Sequence, residues 1–231
     1  SAGATYLTGD TASTSFPTTP GAFDLTLQQT EAFVTKLNAA GTARVYSTFL
    51  GGSNLETGWS IAVDGSGQAF VTGSTLSTNF PVSANGYDRE CGSDGTCNAS
   101  GDGPYTDAFL AKLGADGASL LYGTFIGGKD ADVGYGVALD AGNPVLTGVT
   151  WSSDFASGYK GLGDAFVARL NSSGGLVYKV TVGGQDTDAG FGIATTGGNA
   201  YVTGETWSSD FAPGYKGQND AFVVKLNSSG G

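Results

Sequence analysis

Asp220-Ala-Phe-Val-Val-Lys-Leu226 is the last of four writings of one phrase. The others are Glu31-Ala-Phe-Val-Thr-Lys-Leu37, Asp107-Ala-Phe-Leu-Ala-Lys-Leu113 and Asp164-Ala-Phe-Val-Ala-Arg-Leu170. Phe222, Val224 and Leu226 fall on one face of an extended chain, Ala221 and Val223 on the other. A short segment rich in β-branched and aromatic residues reads as a strand, and apolar side chains on both faces mean that both are covered. Three further phrases recur around it. Tyr6-Leu-Thr-Gly9 returns as Phe70-Val-Thr-Gly73, Val145-Leu-Thr-Gly148 and Tyr201-Val-Thr-Gly204. Tyr46-Ser-Thr-Phe-Leu-Gly-Gly52 has partners at 122–128 and 178–184, and Trp59-Ser-Ile-Ala-Val-Asp64 has partners at 135–140 and 191–195.

The repeating unit is therefore four strands, in the order A (Ile-Ala-Val-Asp), B (Val-Thr-Gly), C (Ala-Phe-Val) and D (Tyr-Ser-Thr-Phe). Units of roughly 50 residues with a doubly covered third strand fit the blades of a β-propeller, where each sheet lies between two neighbours. A two-layer sandwich would show cleaner polar alternation, and solenoid repeats are usually shorter. The expected fold is all-β, a propeller of four-stranded antiparallel blades. About four blades are represented, near 1–52, 58–128, 134–184 and 190–231, in one region spanning 1–231.

The run Gly190-Phe-Gly-Ile-Ala with Gly198-Asn-Ala-Tyr-Val-Thr-Gly204, Asp220-Ala-Phe-Val-Val-Lys-Leu226 and Leu121-Tyr-Gly-Thr-Phe-Ile-Gly-Gly128 resembles the bacterial seven-bladed β-propeller repeat family. The resemblance covers nearly the whole chain. It implies a secreted or surface-attached protein and a fold, without implying an activity. Phe16-Pro17 and Phe80-Pro81 follow the family's pattern, whereas Phe155 and Phe211 are each followed by Ala. Strands A and B are also similar to those of NHL-type propellers, which places A innermost.

Composition agrees. Forty Gly, no Met and 13 % charged residues suit short strands and tight turns, and 13 Phe with 10 Tyr can fill a core. A net charge of −11 with ten Lys and Arg argues against nucleic acid and against an anionic membrane surface. No run approaches the ~18 apolar residues of a membrane-crossing helix. Without any His there is no Ser-His-Asp or Cys-His pair, and no carboxylate pair stands out as an acid–base couple, so the chain reads as non-catalytic. Cys91 and Cys97, six apart in a Gly/Ser/Asp-rich stretch, read as a local disulfide and an oxidising, extracellular or cell-surface setting.

Almost all of the length variation sits in one loop. The step from C to the end of D is 20 residues from Glu31 to Gly51 and from Asp107 to Gly127, and 19 from Asp164 to Gly183. The B-to-C step is 22 from Gly9 to Glu31, 34 from Gly73 to Asp107, and 16 in the last two units. In an antiparallel meander the B–C and D–A loops share one face, so any binding is expected there.

That face carries the candidate sites. Asp130, Asp132, Asp186 and Asp188 could give calcium hard oxygen ligands, or could cap turns by bonding their own backbone. Trp151 with Tyr159, and Trp207 with Tyr215, could form aromatic platforms for sugar rings, or could pack between units. The acid that opens strand C and the base near its end recur in every unit, which suits a structural role. Asn98 in the cysteine loop, and Asn171 and Asn227 in the plain C–D turns of the other face, each match the N-glycosylation pattern, a weak signal where Asn and Ser are common turn residues.

The first and last units lack an A and a D strand, giving fourteen strands in the order BCD, ABCD, ABCD, ABC. Three arrangements fit: further blades in a longer chain, end blades completed by another copy, or an irregular closed ring of four. The expected function is a structural or adhesive module that presents variable loops to a protein, matrix or cell-surface partner. The alternative is a glycan- or ligand-binding propeller lectin, assisted by calcium.

Overall fold

The computed structural model describes residues 3–92, 97 and 106–231. It contains fourteen strands and, among the described residues, no helix: β1 (Thr5–Thr11), β2 (Glu31–Leu37), β3 (Arg44–Leu50), β4 (Glu56–Val63), β5 (Ala69–Thr75), β6 (Asp107–Leu113), β7 (Leu120–Ile126), β8 (Asp132–Asp140), β9 (Asn143–Thr150), β10 (Asp164–Leu170), β11 (Leu176–Val182), β12 (Asp188–Thr196), β13 (Asn199–Thr206) and β14 (Asp220–Leu226). They form four antiparallel sheets: β1-β2-β3, β4-β5-β6-β7, β8-β9-β10-β11 and β12-β13-β14. Each sheet packs face to face with the next, as propeller blades do, and the inner strands β4, β8 and β12 lie against one another. The four sheets do not close into a ring, so the irregular four-bladed ring allowed by the sequence is not formed.

The repeated phrases each serve the packing. Phe33, Phe109, Phe166 and Phe222 of the third strands meet a loop phenylalanine: Phe16 at 4.7 Å between ring centroids, Phe80 at 4.5 Å, Phe155 at 4.9 Å and Phe211 at 5.1 Å. Phe155 and Phe211 thus fill the same place as Phe16 and Phe80, whether Pro or Ala follows. The Thr of Thr-Gly donates across the sheet to the carbonyl of that third-strand Phe, from Thr8 at 2.9 Å, Thr72 at 2.7 Å and Thr147 at 2.9 Å. The adjoining glycine is required by proximity, because a Cβ on Gly73, Gly148 or Gly204 would strike the backbone carbonyl of Thr57, Val133 or Ala189.

Adjacent sheets are joined by apolar clusters. One holds Ala32, Val34, Leu50, Val71 and Phe109 between the first two sheets. Another holds Leu110, Ile126, Val137, Leu146 and Phe166 between the second and third. The tyrosine that opens each fourth strand reaches the following sheet: Tyr46 lies under Gly117, Tyr122 under Gly174 and Tyr178 under Gly230. The bases of the third strands lie over aromatic rings, Lys36 over Tyr6 at 5.2 Å, Lys112 over Phe70 at 4.8 Å and Lys225 over Tyr201 at 5.7 Å. Arg169 instead pairs with Asp140 and holds that carboxyl below the usual range.

Candidate functional site

One end of the sheets carries the loops that follow every second strand and the turns between sheets. The two sets are stitched together by a repeated exchange. The Ser53 amide donates to Asn79 Oδ1 at 2.9 Å, that of Lys129 to Asp154 Oδ1 at 3.0 Å and that of Gln185 to Asp210 Oδ1 at 2.9 Å. One residue on, the Asn54, Asp130 and Asp186 amides donate to the hydroxyls of Ser77, Ser152 and Ser208, at 2.8, 2.9 and 2.8 Å.

Asp130 and Asp132 therefore part company. Asp130 is half-buried and held through its backbone, while Asp132 is wholly buried and accepts from the Gly128 amide and the Ser152 hydroxyl, both at 2.8 Å. Asp186 and Asp188 repeat this, with Asp186 exposed and Asp188 accepting from Gly184 and Ser208 at 2.8 Å. In the first junction Glu56 takes the same place, bonded by Gly52 at 2.9 Å and Thr75 at 2.7 Å. No group of three or more His, Cys, Asp or Glu side chains among the described residues is placed to hold a metal unaided.

What the buried acids do face is the acid that opens strand C of the preceding sheet. A Cβ on Gly51 would strike both Glu56 and Glu31, and one on Gly183 would strike both Asp164 and Asp188. Asp107 stands beside Asp132 in the same way, close enough that the charge of Asp132 is the second cause of its raised pKa. Three junctions thus each contain two buried carboxyl groups: Glu31 with Glu56, Asp107 with Asp132, and Asp164 with Asp188. Desolvation penalises the charged form. Burial lifts Asp107 to about 8 and Asp132 to about 7, the latter against opposing hydrogen bonds from Thr150, Gly128 and Ser152. Burial also raises Glu56 and Asp164. Oxygens of Glu31, Asp132, Asp164 and Asp188 have no hydrogen-bond partner.

The sequence reading missed these pairs because the partners lie on different sheets. A signal existed: the two acids are 25 residues apart at 31 and 56 and at 107 and 132, and 24 apart at 164 and 188.

A second group was also passed over. Trp59, Tyr135 and Phe191 each sit at a β-bulge, where the pairing slips between Gly58 and Ser60, Gly134 and Gly136, and Gly190 and Gly192. A bulge re-aims the extra residue. The three rings form a ladder across the inner strands, with centroids 5.5 and 5.2 Å apart.

Residues 45–81 match a family model described as Beta-propeller repeat. The matched stretch runs from β3 through β4 and β5 to Pro81, and so spans the first junction between blades. No curated protein matches the chain.

The tryptophan, tyrosine and cysteine candidates lie on the loop-bearing face of the blades, and the Asn171 and Asn227 turns follow third strands at the opposite end. Trp151 and Trp207 are 37 % and 46 % exposed, and each Trp carbonyl accepts from a loop tyrosine, from Tyr159 at 3.2 Å and from Tyr215 at 2.9 Å. Trp151 also covers Gly163, so it is part packing and part surface. Cys91 and Cys97 are bonded, with Cα atoms 5.1 Å apart, and both are buried in the first apolar cluster. The Gly92 amide beside them donates to Asp107 Oδ2 at 2.8 Å, tying the longest loop to the second acid pair. The Asn98 sequon lies outside the described residues. The Asn171 and Asn227 side chains accept amide hydrogens within their own turns. A cavity of about 510 Å³ beside Phe211, Tyr215 and Phe222 lies along the last blade, which has no fourth strand.

Proposed function

We propose that this chain is a non-catalytic, extracellular β-propeller module that serves a structural or adhesive role through the loops of one face. The observation that carries this reading is the contrast between that face's loops and the junctions below them. The acid, serine and glycine positions of the junctions repeat with nearly constant spacing. The loop between the second and third strands runs over 12–30, 76–106, 151–163 and 207–219 in the four blades. Insertion at one loop over a rigid frame is how scaffolds acquire a binding surface. The Cys91–Cys97 bond, which persists in oxidising compartments, supports secretion. Among the described residues no helix is long and apolar enough to cross a membrane.

The test replaces the loop at 76–106 with the shorter one at 151–163 and measures adhesion to fibronectin- and collagen-coated surfaces. Adhesion by the parent chain, lost in a variant that keeps its melting temperature within a few degrees, supports the reading. Equal adhesion by both refutes it.

The partial exposure of Trp151 and Trp207 favours a second reading, as a carbohydrate-binding propeller. Aromatic faces stack on the apolar faces of sugar rings. On a glycan array, specific binding that disappears in the W151A/W207A double variant supports this alternative, and a blank array with the parent chain sinks it.

A further inference from the structure

The three junctions share one plan, and the first departs from it in how the first acid of its pair is satisfied. Asp164 accepts from the Lys160 amide at 2.9 Å, and Asp107 from the Gly92 amide at 2.8 Å. Asp220, which opens the last third strand, accepts from the Lys216 amide at 2.6 Å. Glu31 has the Gln28 amide near the matching place, but that amide is outside hydrogen-bond geometry and is the weakest influence on the carboxyl. Glu31 is wholly buried, and neither of its carboxylate oxygens has a hydrogen-bond partner.

Where the other junctions have a well-formed bond from a loop amide, the first has space beside its acid. A cavity of about 300 Å³ lies against Glu31 and is lined also by Asp24, Gln28, Gly51, Gly52 and Asn79. Asn79 Oδ1 is already taken by the amide and hydroxyl of Ser53, both at 2.9 Å. One Asp24 oxygen accepts from the Thr26 amide at 2.8 Å, leaving the other carboxylate oxygen for the cavity. No Lys, Arg or His lines this space. A buried carboxylate without a partner is costly unless a proton or a cation neutralises it. A second carboxylate on the same cavity, with neutral oxygens around it, favours the cation.

We propose that Glu31 and Asp24 hold a hard divalent cation, calcium, in this cavity between the first two blades. Oxygens from Gln28, the Gly51-Gly52 turn and water complete its shell. Calcium takes six to eight oxygen ligands in a flexible geometry, and a site with only two carboxylates belongs with the weak extracellular modules, at a Kd of about 10⁻⁴–10⁻³ M. Magnesium, which gives up its water reluctantly, fits such a site poorly. The site differs from the one expected at Asp130, Asp132, Asp186 and Asp188, whose buried members already accept two hydrogen bonds each.

The test uses the whole chain freed of metal with EDTA and then dialysed, at pH 7.5. Calcium chloride is titrated by calorimetry, and thermal unfolding is followed with and without 10 mM CaCl₂ or MgCl₂. The expected result is one calcium per chain and a rise in Tm of about 4–7 °C with calcium, since binding to the folded state alone stabilises by mass action. Glu31→Gln should weaken binding at least tenfold and abolish the shift. Asp24→Asn, at a partly exposed position, should do the same and decides the matter if the Glu31 variant fails to fold. Asp164→Asn at the third junction should leave the calcium response intact. A parent chain without a calcium-dependent shift, or with a response lost equally in Asp164→Asn, overturns the proposal. So does a Glu31→Gln chain that is more stable than the parent while the parent ignores calcium, which would show that Glu31 carries a proton instead.

Discussion

Replacing Asp107 with Asn should make the protein more stable at alkaline pH and change little in mild acid. Asp107 and Asp132 face each other in the second junction, and the folded state favours a proton on the pair. Raised carboxyl pKa values mean that the folded chain binds protons more tightly than the unfolded one. Stability is therefore fully present below pH 3.8, where both states are protonated, and is lost as pH rises through about 7–8. Asp132 alone moves from 3.8 to about 7. At about 1.36 kcal/mol per unit this is on the order of 4 kcal/mol, and counting the coupled pair once while allowing for relaxation leaves about 2–4 kcal/mol. The side-chain amide introduced by Asp107→Asn would keep an oxygen for the Gly92 amide and offer an N–H to the orphaned Asp132 Oδ1. The assay is urea unfolding followed by Trp fluorescence between pH 4.5 and 8.5. The parent should lose stability across that range, and the variant's slope should be shallower by about 2–4 kcal/mol, or about 5–15 °C in Tm for a chain this long. Because the chain has no His, the side chains that titrate in this window are the displaced carboxyls. General repulsion among acidic groups also grows with pH, but the difference between parent and variant largely cancels it. A parent equally stable at pH 5 and 8.5, or a variant weaker than the parent at pH 8.5, would refute the reasoning.

Further predictions concern the turns and the packing. Ala141 has a φ of 49° in the two-residue turn between Asp140 and Asn143, where the equivalent turn of the last blade has Gly197. Ala141→Gly should stabilise by about 1 kcal/mol in the same urea assay, because the left-handed conformation costs an L side chain about 1–2 kcal/mol. Gly117 combines a φ of 71° with the Tyr46 ring against its would-be Cβ, so Gly117→Ala should lower Tm more than Gly142→Ala, whose site is open. Phe80→Ala removes a buried ring between Phe109 and Phe125 and should cost about 3–5 kcal/mol in chemical denaturation.

The architecture was legible because packing in a repeat protein is written into every copy. The doubly apolar third strand, the Thr-Gly pair and the tyrosine of the fourth strand each make a contact that recurs, and recurrence is visible in one sequence. The Phe-Ala loops looked like departures but hold the same position as the Phe-Pro ones, since the ring does the packing. The acid pairs were not legible in the same way. Asp130 and Asp132 stand two apart in sequence, yet Asp130 stays in the turn, held by its amide to Ser152, while Asp132 opens β8 and turns towards an acid of the preceding blade. The aromatic ladder was hidden for a different reason. Trp59, Tyr135 and Phe191 open one recurring phrase, but the bulge that projects them into a ladder belongs to the backbone.

The repeated acids also explain why the paired glycines persist at each junction. Gly52, Gly128 and Gly184 give their amides to Glu56, Asp132 and Asp188 at 2.9, 2.8 and 2.8 Å, and a Cβ there would strike Ser77, Ser152 or Ser208. Acid, serine and glycine thus act as one unit that fixes the turn between blades and, through Ser77, Ser152 and Ser208, the start of the variable loop. That unit must be the same wherever a blade follows another, whatever loop stands above it. The place where it changes is then informative. Only the first junction replaces both aspartates with glutamates, and there the first acid of the pair accepts no well-formed hydrogen bond and lines a cavity. A longer side chain displaces its carboxylate further from the turn, so the first junction can accept a ligand that the other two, closed by loop amides, cannot.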